Sequence, residues 1–206
     1  ELSTRPENSM GSDELWDKAE SALKHVLDQL GVGYRINEGD GAFYGPKIDF
    51  HIQDALKRSH QCATIQLDFQ MPEKFDLSYV GEDNQRQRPV VIHRAIFGSI
   101  DRFIGILIEH YAGAFPTWLA PVQVKVMTIA DAFATYGQEV VARLNKAGIR
   151  TRLDDRDEKI GYKIREAQLQ KIPYMLIIGE KEMSDGTVAV RKRSAGDLGA
   201  QPLDQF

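Results

Sequence analysis

The chain has 206 residues, 42% of them hydrophobic and 27% charged, which is enough apolar material for one or two packed domains. No run approaches about 18 uninterrupted apolar residues, which excludes a chain made mainly of membrane spans. The apolar content also excludes a chain that is mainly a long disordered tail. Cys62 is the only cysteine, which excludes an internal disulfide and indicates a reducing, cytoplasmic location. The net charge is −4, with an acidic part before Pro121 and a mildly basic part after it. The basic part suits either a polyanionic partner or an ordinary mixed surface.

The first residues predict a short strand followed by a helix. ELSTRPE alternates apolar and polar residues and holds no signal-peptide core, and since it starts at Glu1 rather than Met we expect a fragment cut inside a domain. Ser12 can cap a helix whose apolar residues keep helical spacing from Leu15 to Leu30, and Gly31 ends it.

Two strands with one polar face each follow a glycine-rich connection over residues 39–45. The apolar faces would be Ile48, Phe50 and Ile52 in KIDFHIQD, and Ala63, Ile65, Leu67 and Phe69 in QCATIQLDF. The polar faces would be Lys47, Asp49, His51 and Gln53 in the first strand, and Cys62, Thr64, Gln66 and Asp68 in the second. A short turn over residues 55–60 predicts an antiparallel pair, so both polar faces lie on one open side, where we expect substrate.

A third strand, RPVVIHRAI, leads through Gly98-Ser99 into an apolar helix that runs to about Tyr111. Arg102 lies in the first turn of this helix, and we expect it to be buried. An unpaired buried guanidinium costs roughly several kcal/mol, so an anion should lie near it. With Ser99 and the helix N-terminus, Arg102 could bind a phosphate or a base. A simple ion pair with Asp101, Glu109 or a carboxylate on a neighbouring strand is an equal alternative.

His93 lies in the middle of the third strand, so its imidazole should be partly buried with one nitrogen free for a partner. Such a residue is more often a core histidine than a ligand. A local zinc site from His60, Cys62 and His93 is a weaker alternative, because their spacing does not match a metal-binding motif.

The second half of the chain predicts an α/β domain. AGAFPTWLAP interrupts all periodicity and marks a candidate domain boundary. Strands at VQVKVMTI, RTRLDD and YMLIIGE alternate with helices at 131–146 and 160–169, which is typical of parallel pairing. Asp185-Gly186 then predicts a hairpin turn that closes the sheet with an antiparallel edge.

Several segments together resemble the bacterial-type threonyl-tRNA synthetases. They are FYGPKIDF, QCATIQLDF, RPVVIHRAIFGSIDRFIGILIE, RDEKIGYKIREAQLQKIPYMLIIGEKE and TVAVRKR. GSIDRF resembles the third signature motif of class II aminoacyl-tRNA synthetases, and the residues after Pro121 resemble their anticodon-binding domain. The implied fold class is α/β. Residues 1–118 would be the C-terminal portion of an α+β catalytic domain with an antiparallel sheet, and residues 119–206 an anticodon-binding domain with a mixed five-stranded sheet.

The resemblance implies a ligase that condenses ATP, accompanied by Mg²⁺, with threonine and transfers the threonyl group to the 3′ end of tRNA(Thr). The full-length enzyme would be a homodimer without a membrane partner. The sequence contains neither the second signature motif, which supplies another arginine, nor an editing segment. We therefore expect the fragment alone to be inactive.

The resemblance also implies residue roles in the catalytic part. Arg102 would contact the adenine face or the γ-phosphate of ATP, with Gln61, Thr64 and Ser99 near the nucleotide. Tyr44 and Gln66 would lie beside threonine and the terminal ribose, and Lys47 near the tRNA end. His93 would be one of three zinc ligands, and the other two lie outside this sequence. Gln61 lies on the wrong strand face for this role, so a bulge or a twist would be needed to place it.

In the second part, the resemblance assigns anticodon contacts to Arg165, Lys181, Glu182 and Arg191. The alternative is that these are ordinary surface charges. Asp157 stands where the family often has asparagine, and because a carboxylate accepts but does not donate hydrogen bonds, a direct base contact there is in doubt.

Two other functions stay open on the sequence. A catalytically inactive tRNA-binding or regulatory relative would keep the anticodon module and a vestigial sheet. The polar residues Tyr44, Lys47, Gln66, His93 and Arg102 argue against such decay. A prolyl or glycyl class II enzyme is the other alternative, which VVIHRAIFGS and QCATIQ disfavour.

Overall fold

The computed structural model describes residues 1–206 as two compact units, Glu1–Ile106 and Leu107–Phe206. The domain boundary predicted at 118/119 lies beyond this division and stays a prediction. None of the helices has both the length and the apolar character needed to cross a bilayer.

Unit 1 is built on a five-stranded sheet in the order β2-β1-β3-β4-β7. Its strands are β1 (Leu2–Ser3), β2 (Ile36–Asn37), β3 (Lys47–Gln53), β4 (Ser59–Asp68) and β7 (Val91–Ala95), and β5 (Tyr79–Val80) pairs with β6 (Arg86–Gln87) in a separate ribbon. Its helices are α1 (Asp13–Gln29), α2 (Gln70–Lys74) and α3 (Ile100–Tyr111), of which α3 continues past the unit division. The predicted antiparallel pairing of β3 with β4 is confirmed, and β7 pairs antiparallel with β4.

Helix α1 covers the apolar face of the sheet. The Ser12 hydroxyl caps it by accepting the N–H of Leu15, as the sequence predicts. Leu23 and Leu27 pack against Leu2 and Ile48 in one buried cluster. The cluster stops at Ile48, so the predicted burial of the rest of that face of β3 is wrong: Phe50 is 45% and Ile52 is 41% exposed.

Unit 2 contains a mixed five-stranded sheet in the order β12-β11-β10-β8-β9, which confirms the predicted fold class. Its strands are β8 (Val124–Thr128), β9 (Thr151–Asp154), β10 (Tyr174–Ile178), β11 (Thr187–Lys192) and β12 (Gly196–Pro202). Its helices are α4 (Ala134–Lys146), α5 (Ile160–Leu169) and α6 (Glu180–Asp185), with 3₁₀ turns at Asp131–Phe133 and Leu203–Gln205. β8 runs parallel to β9 and β10, whereas β11 runs antiparallel to β10 and β12.

Two apolar layers enclose this sheet. Val140 and Leu144 of α4 pack with Val126 and Leu176 on one side. On the other side Ala167 of α5 packs with a second buried cluster, which contains Met127, Ile172 and Met175. The alternation of strands and helices in the sequence therefore produces helices on both sheet faces.

The hairpin predicted at Asp185-Gly186 is wrong. Glu180–Asp185 forms helix α6 instead of a strand, and Gly186 takes a left-handed conformation (φ 65°) as its C-cap. Glycine adopts this conformation without steric cost, so the same dipeptide suits a helix end as well as a turn. The predicted antiparallel strand does follow as β11, but the sheet edge is β12, which the sequence analysis did not predict.

Two arginines hold the segment that follows α3. Arg193 donates to the main-chain oxygens of Ala114 and Phe115 at 3.1 and 2.7 Å. Arg150 donates to the main-chain oxygens of Trp118 and Ala120 at 2.7 and 2.9 Å through one Nη atom. The proline-containing segment of irregular periodicity is thereby attached to unit 2 through its backbone.

Candidate functional site

Three of the residues singled out by the sequence lie in one row across the sheet of unit 1. Lys47 on β3 is directly opposite Gln66 on β4, and Gln66 is directly opposite His93 on β7. Directly opposed residues of an antiparallel sheet point to the same face. Asp49 and Thr64 form the next row on that face. The shared polar face expected from the alternating pattern is therefore present, although Asp49 and Asp68 on it are buried rather than open to solvent.

Tyr44 reaches this row from the turn before β3. Its hydroxyl donates to Oε1 of Gln66. The turn lies against β4 at Gly45, where a Cβ atom would come within 1.8 Å of the Leu67 main-chain oxygen. Only glycine fits this approach, so Gly45 lets the turn place Tyr44 over Gln66. Burial and the negative charge of Asp68 raise the pKa of Tyr44, and its hydroxyl stays protonated near neutral pH.

Gln61 joins the same face through a β-bulge. The β3–β4 register shifts between Phe50, which pairs with Ala63, and His51, which pairs with Gln61, so Cys62 is the extra residue. The extra residue reverses the alternation on β4, as the position of Gln61 required. Gln61 Nε2 consequently reaches Oδ1 of Asp49 at 2.7 Å.

Asp49 is a buried carboxylate that the sequence analysis placed on the polar face without a role. It is 2% exposed and also accepts from Lys47 Nζ at 2.7 Å. Burial alone would raise the pKa of Asp49, but the hydrogen bonds, first that from Lys47, hold it below its usual value. The pKa of Lys47 is raised despite burial, because the side chains of Asp49 and Asp40 bind its ammonium. Both groups are therefore charged at neutral pH.

Asp68 is a second buried carboxylate, at the end of β4. Its Oδ2 lies 2.8 Å from His93 Nε2, and its Oδ1 accepts the N–H groups of Gln70 and Met71 at 2.9 Å each. These contacts, first that with His93, lower the pKa of Asp68 although burial opposes them. The imidazole is 37% exposed and packs edge-on to Tyr44 with ring centroids 5.7 Å apart. A cavity of about 290 Å³ opens between these rings and Phe75.

The alternative zinc site from His60, Cys62 and His93 is wrong. No three His, Cys, Asp or Glu side chains lie close enough together to hold a metal ion. His60 instead binds Asp54, and Cys62 is the buried bulge residue. His93 alone is placed as a ligand could be: Nδ1 makes no hydrogen bond, and Nε2 has the carboxylate partner that metal-bound histidines commonly have.

Arg102 differs from the expectation, because it is exposed rather than buried. Helix α3 has no fully buried residue, so its apolar face is only partly covered within the chain. The guanidinium does not pair with a carboxylate, and instead Nη2 donates to the Gln61 main-chain oxygen at 3.1 Å. Ser99 Oγ accepts the Arg102 N–H at 3.4 Å, and Gly98 (φ 65°) allows this turn to approach Cys62. The charge of Arg102 is thus held near Gln61 and is available to an anion.

The four residues assigned to the anticodon lie on three elements of unit 2. Helix α6, which carries Lys181 and Glu182, packs against β11, which carries Arg191. Glu182 accepts the N–H of Gly179 at 3.0 Å and so caps its own helix, and Arg191 lies 3.4 Å from Asp197. Arg165 is exposed on α5, which packs against β8. Arg191 lies opposite Met175 near the start of β10, whereas α6 follows the end of that strand, so the grouping of these four residues stays a prediction.

A buried charge cluster that the sequence analysis missed lies at the ends of β8 and β9. Asp154 is 3% exposed and is bound by Arg156 and Lys125 at 2.7 and 3.1 Å. Lys163 is 1% exposed and donates to the main-chain oxygens of Thr128 and Asp154. The only sequence signal was the run of charges in RTRLDDRDEK, which also fits a solvated loop.

Comparison with known proteins gives two family models in succession. Residues 7–111 match the tRNA synthetase class II core domain (G, H, P, S and T), and residues 123–206 match the anticodon binding domain. The chain is 68% identical over its 206 residues to the threonine–tRNA ligase of Carboxydothermus hydrogenoformans and 67% identical to that of Clostridium tetani. It spans 32% of the length of each of these relatives.

The solved structures agree with the sequence relatives. The RNA binding domain of threonyl-tRNA synthetase from Cryptosporidium parvum Iowa II superposes with a TM-score of 0.91 at 46% identity, over 99% of this chain and 52% of that chain. The resemblance to threonyl-tRNA synthetases predicted from the sequence is confirmed by these matches.

Proposed function

Because the chain belongs to the family of the tRNA synthetase class II core domain, we propose that it is part of a threonine–tRNA ligase. Such a ligase activates threonine with ATP and transfers it to tRNA(Thr). The observation that carries the proposal is the row Lys47–Gln66–His93, with Tyr44 bound to Gln66, in a chain 68% identical to a threonine–tRNA ligase. We assign residues 1–118 to the catalytic core and 119–206 to anticodon recognition.

In the first step the threonine carboxylate attacks the α-phosphorus of ATP, and pyrophosphate leaves. Negative charge accumulates on the phosphates, so a fixed cation stabilises the transition state. Arg102 supplies that cation beside Gln61, at the N-terminus of α3, whose dipole also favours anions. Gln61, Thr64 and Ser99 would line the nucleotide, and Mg²⁺ would accompany it. The aligned reactants account for much of the rate by proximity.

In the second step a ribose hydroxyl of the terminal adenosine attacks the threonyl carbonyl, and AMP leaves. Tyr44 and Gln66 are bound to each other, so each restricts the orientation of the other beside threonine and the ribose. Lys47 lies in the same row with its ammonium charged, which suits a contact to the tRNA end.

Zinc fits this chain at one position only, His93. When bound, zinc would act as a Lewis acid that engages the amino and hydroxyl groups of threonine. Such a site strongly rejects valine, which lacks the hydroxyl. Asp68 holds the Nε2 side of His93, which leaves Nδ1 as the ligating atom.

Unit 2 would bind the anticodon of tRNA(Thr) through Lys181, Glu182, Arg191 and Arg165. Unstacked bases offer edges and faces to such side chains. A homodimer of the complete ligase and a cytoplasmic location are part of the same proposal. The location is supported by the single cysteine.

The test is a hybrid ligase in which this chain replaces the matching 206 residues of the Carboxydothermus hydrogenoformans protein. The hybrid should exchange pyrophosphate into ATP only when threonine is present, and should charge tRNA(Thr). Exchange that depends on proline or glycine instead, or a folded hybrid without exchange, would refute the proposal.

A further inference from the structure

Asp49 lies at the centre of the candidate site, yet neither the resemblance nor the alternation pattern gives it a task. Its side chain is 2% exposed, on the strand that also carries Lys47 and directly opposite Thr64. A carboxylate without solvent is tolerated only if donors surround it. The identity of those donors is therefore informative.

The two oxygens of Asp49 bind two different site residues. Oδ2 accepts from Lys47 Nζ and Oδ1 from Gln61 Nε2, both at 2.7 Å, and Ser3 Oγ lies 3.4 Å from Oδ2. Lys47 comes from the start of β3, whereas Gln61 reaches Asp49 only because of the bulge at Cys62. One carboxylate thus fixes a cation at one end of the site and an amide at the other.

The connection continues beyond Gln61. Its main-chain oxygen accepts from Arg102 Nη2 at 3.1 Å, so a chain of hydrogen bonds runs Lys47–Asp49–Gln61–Arg102. Three of these four residues hold proposed substrate roles. Asp49 is the only member that links the others without a substrate role of its own.

We propose that Asp49 is a positioning residue that sets the relative places of Lys47 and Gln61, and through Gln61 the place of Arg102. The inference rests on the proposed function, which supplies the roles of those three residues. Asp49 acts through its neighbours and touches no substrate. If Asp49 served only to balance the charge of Lys47, its replacement would change neither the position of Gln61 nor the rate of the reaction.

The first test is spectroscopic and uses the chain alone. The Asp49→Asn variant keeps the shape but loses the charge, so the Gln61 amide and the Lys47 ammonium should both lose their protection from exchange with water by about tenfold. Asp40→Asn is the matched control, because Asp40 binds the same ammonium at 3.0 Å but not Gln61. It should leave the Gln61 amide unchanged. Unchanged Gln61 exchange in Asp49→Asn overturns the proposal.

The second test measures the reaction in the hybrid ligase. Asp49→Asn should lower kcat for threonyl transfer by about 10- to 100-fold with little change in the KM for threonine, as is typical when a supporting hydrogen bond is removed. Asp40→Asn should change kcat by less than about threefold. An equal loss in both variants, or a change in KM alone, overturns the positioning role.

The proposal can also be tested if the Asp49→Asn variant does not fold or if the hybrid ligase is inactive. If Asp49→Asn fails to fold, as judged by circular dichroism, the unaltered chain decides: both the Lys47 ammonium and the Gln61 amide must be protected, and fast exchange of either refutes the link. An unaltered hybrid without threonine-dependent pyrophosphate exchange would refute the proposed function. The hydrogen exchange of the Gln61 amide and the Lys47 ammonium would still report on the role of Asp49.

Discussion

Asp68 and His93 form a directed pair in which the carboxylate determines the proton position on the imidazole. Oδ1 of Asp68 is occupied by the N–H groups of Gln70 and Met71, so only Oδ2 faces Nε2 of His93, at 2.8 Å. Since this oxygen can only accept, the neutral imidazole must carry its proton on Nε2. Nδ1 is then an open lone pair beside the cavity.

Replacement of Asp68 by asparagine should move that proton. The two backbone N–H groups retain the carbonyl oxygen of the new amide, so its NH₂ faces His93 and donates to Nε2. The neutral imidazole then becomes the Nδ1–H tautomer. Nitrogen-15 chemical shifts of the two ring nitrogens of His93 distinguish the two tautomers. Asp76→Asn, at an exposed carboxylate bound to Arg88, is the control and should leave His93 unchanged.

Arg102→Ala in the hybrid ligase should reduce threonine-dependent pyrophosphate exchange by about 100-fold or more, because a fixed charge near the transferring phosphate is lost. Arg94→Ala is the matched control. Arg94 is exposed on β7 opposite Ile65, on the sheet face away from the polar row, and its loss should change the rate less than about twofold. Similar losses in both would mean that Arg102 acts only through surface charge.

The chain alone should show no threonine-dependent pyrophosphate exchange. Adenylation needs charge stabilisation from more than one group, and the resemblance implies a second arginine from a motif that this sequence does not contain. Measurable exchange by the purified chain, absent from Arg102→Ala, would contradict this expectation.

Asp154→Asn should destabilise unit 2 at neutral pH by about 2 kcal/mol. Arg156, and next Lys125, lower the pKa of Asp154 from 3.8 to about 2, although burial opposes them. The folded-state pKa is below the unfolded one, so the stabilisation is full above about pH 4 and is lost as the pH falls towards 2. Urea unfolding at several pH values should show a shallower acid limb in the variant. Asp204→Asn, at an exposed pair with Arg143, should cost less than about 0.5 kcal/mol.

Gly45→Ala should destabilise unit 1 by more than about 3 kcal/mol, since the new methyl group would overlap the Leu67 main-chain oxygen. Gly161→Ala is the control, because Gly161 lies inside α5, where an added Cβ atom would meet nothing within 4 Å. It should stabilise the chain by up to about 1 kcal/mol. Equal effects in chemical denaturation would show that the turn at Gly45 can move away from β4.

Local patterns predicted the elements well where a boundary signal was unambiguous. Helix α5 spans Ile160–Leu169 as expected, and α1 begins after its Ser12 cap. The strand alternation also predicted the shared polar face of β3 and β4. Asp185-Gly186 misled because a left-handed glycine serves a helix end and a hairpin equally.

The site was less predictable than the fold because its contacts depend on tertiary placement. The bulge at Cys62 could be inferred only as a requirement for Gln61, and the exposure of Arg102 depends on what covers α3. Asp49 and Asp68 appeared in the sequence as two more polar residues of an alternating strand. Their burial and their partners depend on how neighbouring strands are paired. The residue pattern of a single strand does not determine that pairing.

The side chains of Arg150 and Arg193 bind the segment after α3 through its main-chain oxygens only, at Ala114, Phe115, Trp118 and Ala120. Backbone carbonyls are the same in every amino acid, so this attachment does not constrain which side chains the segment carries. Trp118, for instance, is 72% exposed. During evolution the segment can therefore drift in sequence while its path stays the same, and selection should act on Arg150 and Arg193 instead.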